Sequence, residues 1–367
     1  MQKTLNVNKR NYGIDALRIL SMIMIVTLHL LGHGGILKSL DLFSAGHYSA
    51  WVLEIIAYCA VNCYALISGY VGVSSKFKYS GILNLCINVV FYTLIITSLF
   101  GIFSPGSVNG QTFKTAVFPY AFNVYWYFTA YFCMYFFIPC FNHLINTLKK
   151  NEATALVVSC VFLFSVLPTV TQYDLAYTNK GYSVLWLSVL YIIGAYIKKY
   201  DIGAKIKKST LLILYTVCIL INCLSKFYIE YGSVNLWANP QNSNRLVSYC
   251  SPTVLSTAVI LLILFSKFRY GRVSEKLISF FAPLTFGVYL IHDEPLIRSS
   301  FITNKLVFLA ELHPSLMILS VIGISVAIWL ICSLIDKVRL EIFKLLKIKQ
   351  FCDKIIDFIT VKISKRN

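Results

Sequence analysis

A polytopic, all-α bundle of membrane-crossing helices is the fold class that this sequence predicts, and three observations carry that reading. Apolar runs of about 18–25 residues recur about ten times, each long enough to cross a hydrocarbon layer of ~30 Å. Only 13% of the residues are charged and 57% are hydrophobic, with a mean hydropathy of +0.71, whereas a soluble domain carries about 25% charge. The basic residues, which give a net charge of +18, fall in short segments between the runs. That distribution excludes nucleic acid as a partner, because nucleic acid needs a basic face on a soluble module.

The expected spans are 14–31, 49–71, 81–103, 123–145, 153–170, 182–197, 209–225, 246–265, 277–292 and 315–335. With the amino terminus in the cytoplasm, about 25 Lys and Arg residues fall in cytoplasmic segments and about 7 outside, counting Arg18 in the membrane. Both termini are therefore expected inside. Lys3, Lys9 and Arg10 give the first run the look of a secretory signal, but Asp15 and Arg18 interrupt it and no small-x-small cleavage site follows. The run is expected to stay attached. Of the 11 cysteines, all but Cys352 lie within or at the edge of apolar runs, where they act as small hydrophobes. Neither the Cys59/Cys63 nor the Cys218/Cys223 spacing is that of a zinc or redox motif, so neither a disulfide nor a metal site is expected. Residues 1–340 are expected to form the transmembrane domain. Residues 341–367 are expected to form a basic amphipathic tail on the inner headgroup surface, with Ile342, Leu345, Phe351, Ile355, Ile359 and Ile363 near helical spacing.

The first run holds three ionisable side chains, Asp15, Arg18 and His29, in what should be an oily rod, and an intramembrane charge points to function. At about 100° per residue, Arg18 and His29 differ by about 20° around the axis and by roughly 16 Å along it. Asp15 precedes Arg18 by three positions, so the two can pair. Snorkelling would account for Arg18 but not for an imidazole three turns further along the same face. The stripe needs a polar cavity inside the bundle.

Alternating direction places the remaining polar residues by depth. Glu54 lies in the outer quarter of the second span, and His292, Asp293 and Glu294, just before Pro295, arrive at the depth of His29. For Asp293 and Glu294 a solvated helix end stands beside the functional reading. Lys76 and Lys78 follow the cytoplasmic exit of the second span. Outside, Tyr125, Trp126 and Tyr127 are either a surface for stacking on a sugar ring or an interfacial aromatic belt.

With these residues in view, the order acid, two residues, Arg, ten residues, His resembles the opening helix of the membrane acyltransferase-3 family. CAVNCYALISGYV is similar to that family's second-helix signature, WYFTAYFCMYFFIPCFN to its aromatic helix ending in Pro, and FGVYLIHDEPLIR to its late helix with an outer His. The resemblance implies a membrane-bound O-acyltransferase of the bacterial cell membrane that moves an acyl group, usually acetyl from acetyl-CoA, onto a hydroxyl of an envelope sugar or polysaccharide. It places His29 and His292 at family positions, and a nearby carboxylate, Asp293 or Glu54, is expected to orient the ring and stabilise its cation. His29 would act either as general base on the acceptor or as a transient acyl carrier.

Asp15, Arg18, Lys76 and Lys78 are then expected to hold the donor, and Glu54, Trp126 and Tyr127 the acceptor. Where the family commonly has arginines after its second helix, Lys76 and Lys78 keep the charge but lose the bidentate fork. Positive-inside topology alone would also put lysines there. The expected partners are acetyl-CoA as donor substrate, an envelope glycan or lipid-linked sugar, and the bilayer, with no permanently bound cofactor. Some family members continue into an extracytoplasmic hydrolase-like domain. Without one, the acceptor is expected to come to the pore itself, or a separate protein to collect the acyl group. A multi-pass transporter or flippase is the alternative, which symmetry between two halves would favour, and no such symmetry is visible.

Overall fold

The computed structural model describes residues 10–364; Lys3, Lys9 and the side chain of Ile363 lie outside what is described. Each apolar run is helical over most of its length. Helix α1 (Tyr12–Gly32) leads to α2 (Ala45–Ala57) and α3 (Ala60–Gly72), which make one crossing around a break at Tyr58 and Cys59. Next come α4 (Tyr79–Phe103), then α5 (Trp126–Tyr135) and α6 (Ile138–Thr147), which meet at 58°. Pro139 causes that bend, since it has no N–H to offer the Tyr135 carbonyl and its ring would clash there.

Helix α7 (Lys150–Val161) continues through a π-turn to Thr171, and α8 (Val184–Lys199), α9 (Lys208–Asn235) and α10 (Pro252–Ser266) follow. The chain ends with α11 (Arg272–Phe281), α12 (Thr285–His292), α13 (Pro314–Leu345) and α14 (Ile348–Ser364).

Among the described residues seven helices are long and apolar enough to cross a membrane, or eight when the bent pair counts as one span. This is fewer than the ten expected, because α8 and α10 are only 16 and 15 residues long, about 22–24 Å. Both are packed inside the bundle, and α8 is buried without interruption from Trp186 to Ile197. A helix surrounded by helices is not required to match the bilayer by its own length. Helices α8 and α3 pack with their backbones almost touching: a Cβ on Gly69 would run into the Tyr191 carbonyl, and one on Gly194 into that of Leu66. Such small-residue crossings replace the hydrophobic drive that lipid does not supply.

The last run was expected to end at residue 335, but α13 continues to Leu345 and buries Asp336 and Arg339. Arg339 grips Asp336 through Nε and Nη2 at 2.9 and 2.7 Å, and its Nη1 donates to Asn88 of α4 at 2.9 Å. The Tyr92 hydroxyl donates to the same carboxylate at 2.7 Å. Gly287 of α12 sits so close to Asp336 that no Cβ fits. This network holds α12, the carrier of His292, against α13 and α4. Helix α9 likewise outruns its expected end: Glu230, ion-paired to Lys226, accepts a hydrogen bond from His47 Nε2 of α2 at 2.8 Å, tying the two helices together. After Lys347, in the left-handed region at φ 53°, α14 turns back onto α4, burying Cys352 while Phe351, Phe358 and Ile359 stay exposed.

Candidate active site

Helix α1 is fixed at its start. The Asn11 side chain accepts from the Gly13 and Ile14 amides at 2.9 and 3.4 Å and donates to the Ser266 carbonyl at the end of α10 at 3.1 Å. Asp15 then bridges Arg10 at 2.6 Å and Arg18 at 2.9 Å. Arg18 lines a cleft of about 380 Å³ with Lys76 and Lys78, the two lysines after α3, and with Ser68, Asn142 and Lys349. Asp15 is not part of that lining. It faces an adjoining hollow with Arg10 and Lys198, and it reaches the cleft through its pairing with Arg18.

Three turns along α1, His29 meets the late histidine: its Nδ1 is 3.0 Å from His292 Nε2 and 3.6 Å from Asp293 Oδ1. Hydrogen-bond logic assigns the tautomers. His292 Nδ1 is 2.6 Å from the Val288 carbonyl, which can only accept, so that nitrogen carries the proton. With both rings neutral, His292 Nε2 is an acceptor and His29 Nδ1 must donate to it. His29 Nε2 is left with a lone pair and no hydrogen-bond partner among the described residues. Asp293 Oδ1 in turn accepts from Arg298 at 2.9 Å.

Glu294 is used differently: its Oε2 caps the next turn, accepting from the Leu296 and Ile297 amides at 2.7 and 3.0 Å. Burial pushes its carboxyl up, and those two amides pull it down. His29, His33 and Asp293 each bring one ligand atom to within 4.8 Å of the others. A cation there would face the Arg298 guanidinium already seated on Asp293, which favours the hydrogen-bonded reading of the cluster.

His29 also lines a small chamber of about 60 Å³ whose walls are apolar or aromatic, among them Tyr64, Trp126, Tyr127 and Tyr289. Trp126 and Tyr127 are thus beside the histidine pair. From the cleft to the chamber runs a ladder of rings on α5, Tyr135 to Tyr131 to Tyr127, with centroids 6.0 and 6.4 Å apart. Tyr64 stands against its end, its hydroxyl donating to the Arg18 carbonyl at 2.8 Å.

On the other side, Trp126 and Tyr249 pack on Tyr182 with centroids 4.4 and 5.1 Å apart. Tyr182 and Tyr58 open onto a second cleft of about 330 Å³ with Gln172, Asn242 and Arg245. Glu54 does not line the chamber. It is buried in α2 with one carboxylate oxygen unpartnered, within electrostatic reach of Tyr58, Tyr182 and Tyr249.

The structure therefore joins His29, His292 and Asp293 in one cluster, and Arg18, Lys76 and Lys78 in one cleft. Sequence reasoning missed Tyr64, Tyr131, Tyr249 and Lys349. The Tyr127, Tyr131 and Tyr135 spacing of four was visible in the sequence as a single helix face; the other three reach the site only through packing between helices. Comparison with known proteins adds one finding. No curated protein and no solved structure matches the chain, but the acyltransferase domain of a known family matches residues 11–334. The match spans the helical bundle from the cap of α1 into α13 and includes both histidines, and it supports the acyltransferase expectation over the transporter alternative. The chain belongs to the acyltransferase-3 family of membrane acyltransferases.

Proposed function

We propose that this protein transfers acetyl from cytoplasmic acetyl-CoA to a hydroxyl of an envelope sugar or polysaccharide at the bacterial cell membrane. In this reading the chain crosses the membrane ten times with both termini in the cytoplasm, α8 and α10 being short crossings inside the bundle. Residues 1–340 form the acyltransferase domain and 341–367 the tail. The tally of about 25 basic residues inside against about 7 outside supports that orientation. Cysteine labelling from the two sides should then find positions 38 and 207 on opposite faces.

The charged nucleotide of the donor rests in the cleft of Arg18, Lys76 and Lys78, with Asp15 orienting the guanidinium. The slim pantetheine arm passes Tyr131 and Tyr127 and brings the thioester to His29. The acceptor enters past Trp126, with Glu54 behind the tyrosines that flank it. As its hydroxyl oxygen attacks the thioester carbonyl, the proton passes to His29 Nε2. The C–S bond breaks, and the departing thiolate takes that proton. His292, held by Val288, keeps the other proton of His29 on Nδ1, and Asp293 stabilises the imidazolium as it forms.

The observation that carries this reading is the 3.0 Å His29–His292 hydrogen bond on the wall of a chamber flanked by two clefts. It is tested by transfer of labelled acetyl from acetyl-CoA in membrane vesicles. His29→Ala should be made and inserted normally yet lose about 10²–10⁴-fold in rate. Full transfer by that variant would remove His29 from the chemistry. An acetyl-free surface glycan in a deletion strain would identify the acceptor.

A further inference from the structure

We propose that Lys349, on helix α14, is a donor-binding residue whose ammonium group completes the cationic cleft over the phosphates of an acyl-CoA. The inference rests on the donor reading above but concerns a residue outside the family match, which ends at residue 334. Its starting point is the charge of the cleft. Arg18, Lys76, Lys78 and Lys349 all line it, and no aspartate or glutamate does. Arg18 is paired with Asp15. The three lysines make no side-chain hydrogen bond or ion pair among the described residues. Gathering uncompensated ammonium groups around one cleft costs Coulomb energy, and a polyanion placed among them turns that repulsion into attraction.

The way α14 is held makes the placement of Lys349 specific. The left-handed residue Lys347 folds the helix back, and Cys352, three residues after Lys349, is fully buried against the bundle. Cys352 therefore anchors the first turn, and Lys349 with it, beside the cleft. Phe351 and Phe358 are exposed on the same helix, where an apolar face can enter the inner headgroup layer. The other cations of α14 do different things: Lys354, exposed like Lys349, lines no part of the cleft, and Lys362 lies 5.8 Å over the Phe358 ring. The helix thus carries exposed phenylalanines that suit a headgroup layer and one lysine that lines the cleft. The shared chemistry is phosphate, and it comes from one of two sources, the nucleotide of the donor or a lipid headgroup of the inner leaflet.

The test uses the full chain in phosphatidylcholine vesicles with and without phosphatidylglycerol, and compares acetyl-CoA with acetyl-pantetheine, which carries the same thioester without the nucleotide. For Lys349→Gln, KM for acetyl-CoA should rise about tenfold with kcat kept, as expected for loss of one charged contact. Inhibition by 3′,5′-ADP should weaken by a similar factor. Rates with acetyl-pantetheine should not change, Lys349→Arg should restore KM, and Lys354→Gln should match the unaltered protein in both membranes. An unchanged KM and unchanged 3′,5′-ADP inhibition in Lys349→Gln overturn the proposal. So does a loss that is equal for both donors or present only with phosphatidylglycerol, since it assigns Lys349 to lipid. If the unaltered protein uses neither donor, the function proposed above fails, and this inference with it.

Discussion

Two buried polar clusters, built from similar residue types, behave in opposite ways. Around Asp336 every charged group is paired: Arg339 takes both carboxylate oxygens, Tyr92 adds a third bond to the carboxylate, and Asn88 accepts from the third guanidinium nitrogen. Around His29 the chain of bonds from Val288 through His292 ends with one nitrogen unspent, in a residue that lines a chamber. In the proposed function, saturation separates a lock from a reactive site. Both clusters cost desolvation, yet only the second keeps a lone pair for a substrate.

The difference can be broken from either end, and the largest effects should fall on different observables. His29→Ala should abolish acetyl transfer, by about 10²–10⁴-fold, while leaving the thermal midpoint in detergent close to that of the unaltered protein. Asp336→Ala should do the reverse, stranding the Arg339 charge and destabilising the fold by about 3–5 kcal/mol. Its signature is a low yield and a lowered midpoint. A His29 variant that unfolds, or an Asp336 variant that is stable but inactive, would exchange the two roles.

Next in size is His292→Ala. It removes the acceptor that holds the His29 proton on Nδ1, but Asp293 Oδ1 at 3.6 Å or a water can take over part of that role. The rate should fall by about tenfold to a hundredfold, less than for His29→Ala. Equal losses would mean that the two rings share the chemistry.

Smallest is the pair at the base of α1. Arg18→Lys keeps the charge but not the planar fork that meets Asp15 and the donor, so KM for acetyl-CoA should rise about fivefold to twentyfold. Asp15→Glu, which preserves the charge, should be milder. The order of these two separates a bidentate grip from simple attraction and is read from donor titrations at fixed acceptor.

Taken alone, the sequence determined whatever depends on neighbours along the chain. Apolar length and low charge identify the helical spans, as free-energy cost in lipid is counted residue by residue. The 100° step puts Arg18 and His29 on one stripe, and Pro139 marks the bend between α5 and α6. Tertiary structure alone decided which distant residues meet. The 3.0 Å contact of His29 and His292 comes with α12 packed against α13, where Gly287 closes on Asp336, a residue that hydropathy places beyond the last span. Lys349 reaches the cleft only because α14 folds back, and the shortness of α8 and α10 is tolerated only because other helices enclose them. Helical periodicity repeats over a few ångströms of local backbone, whereas contact between helices is set by packing that no single helix encodes.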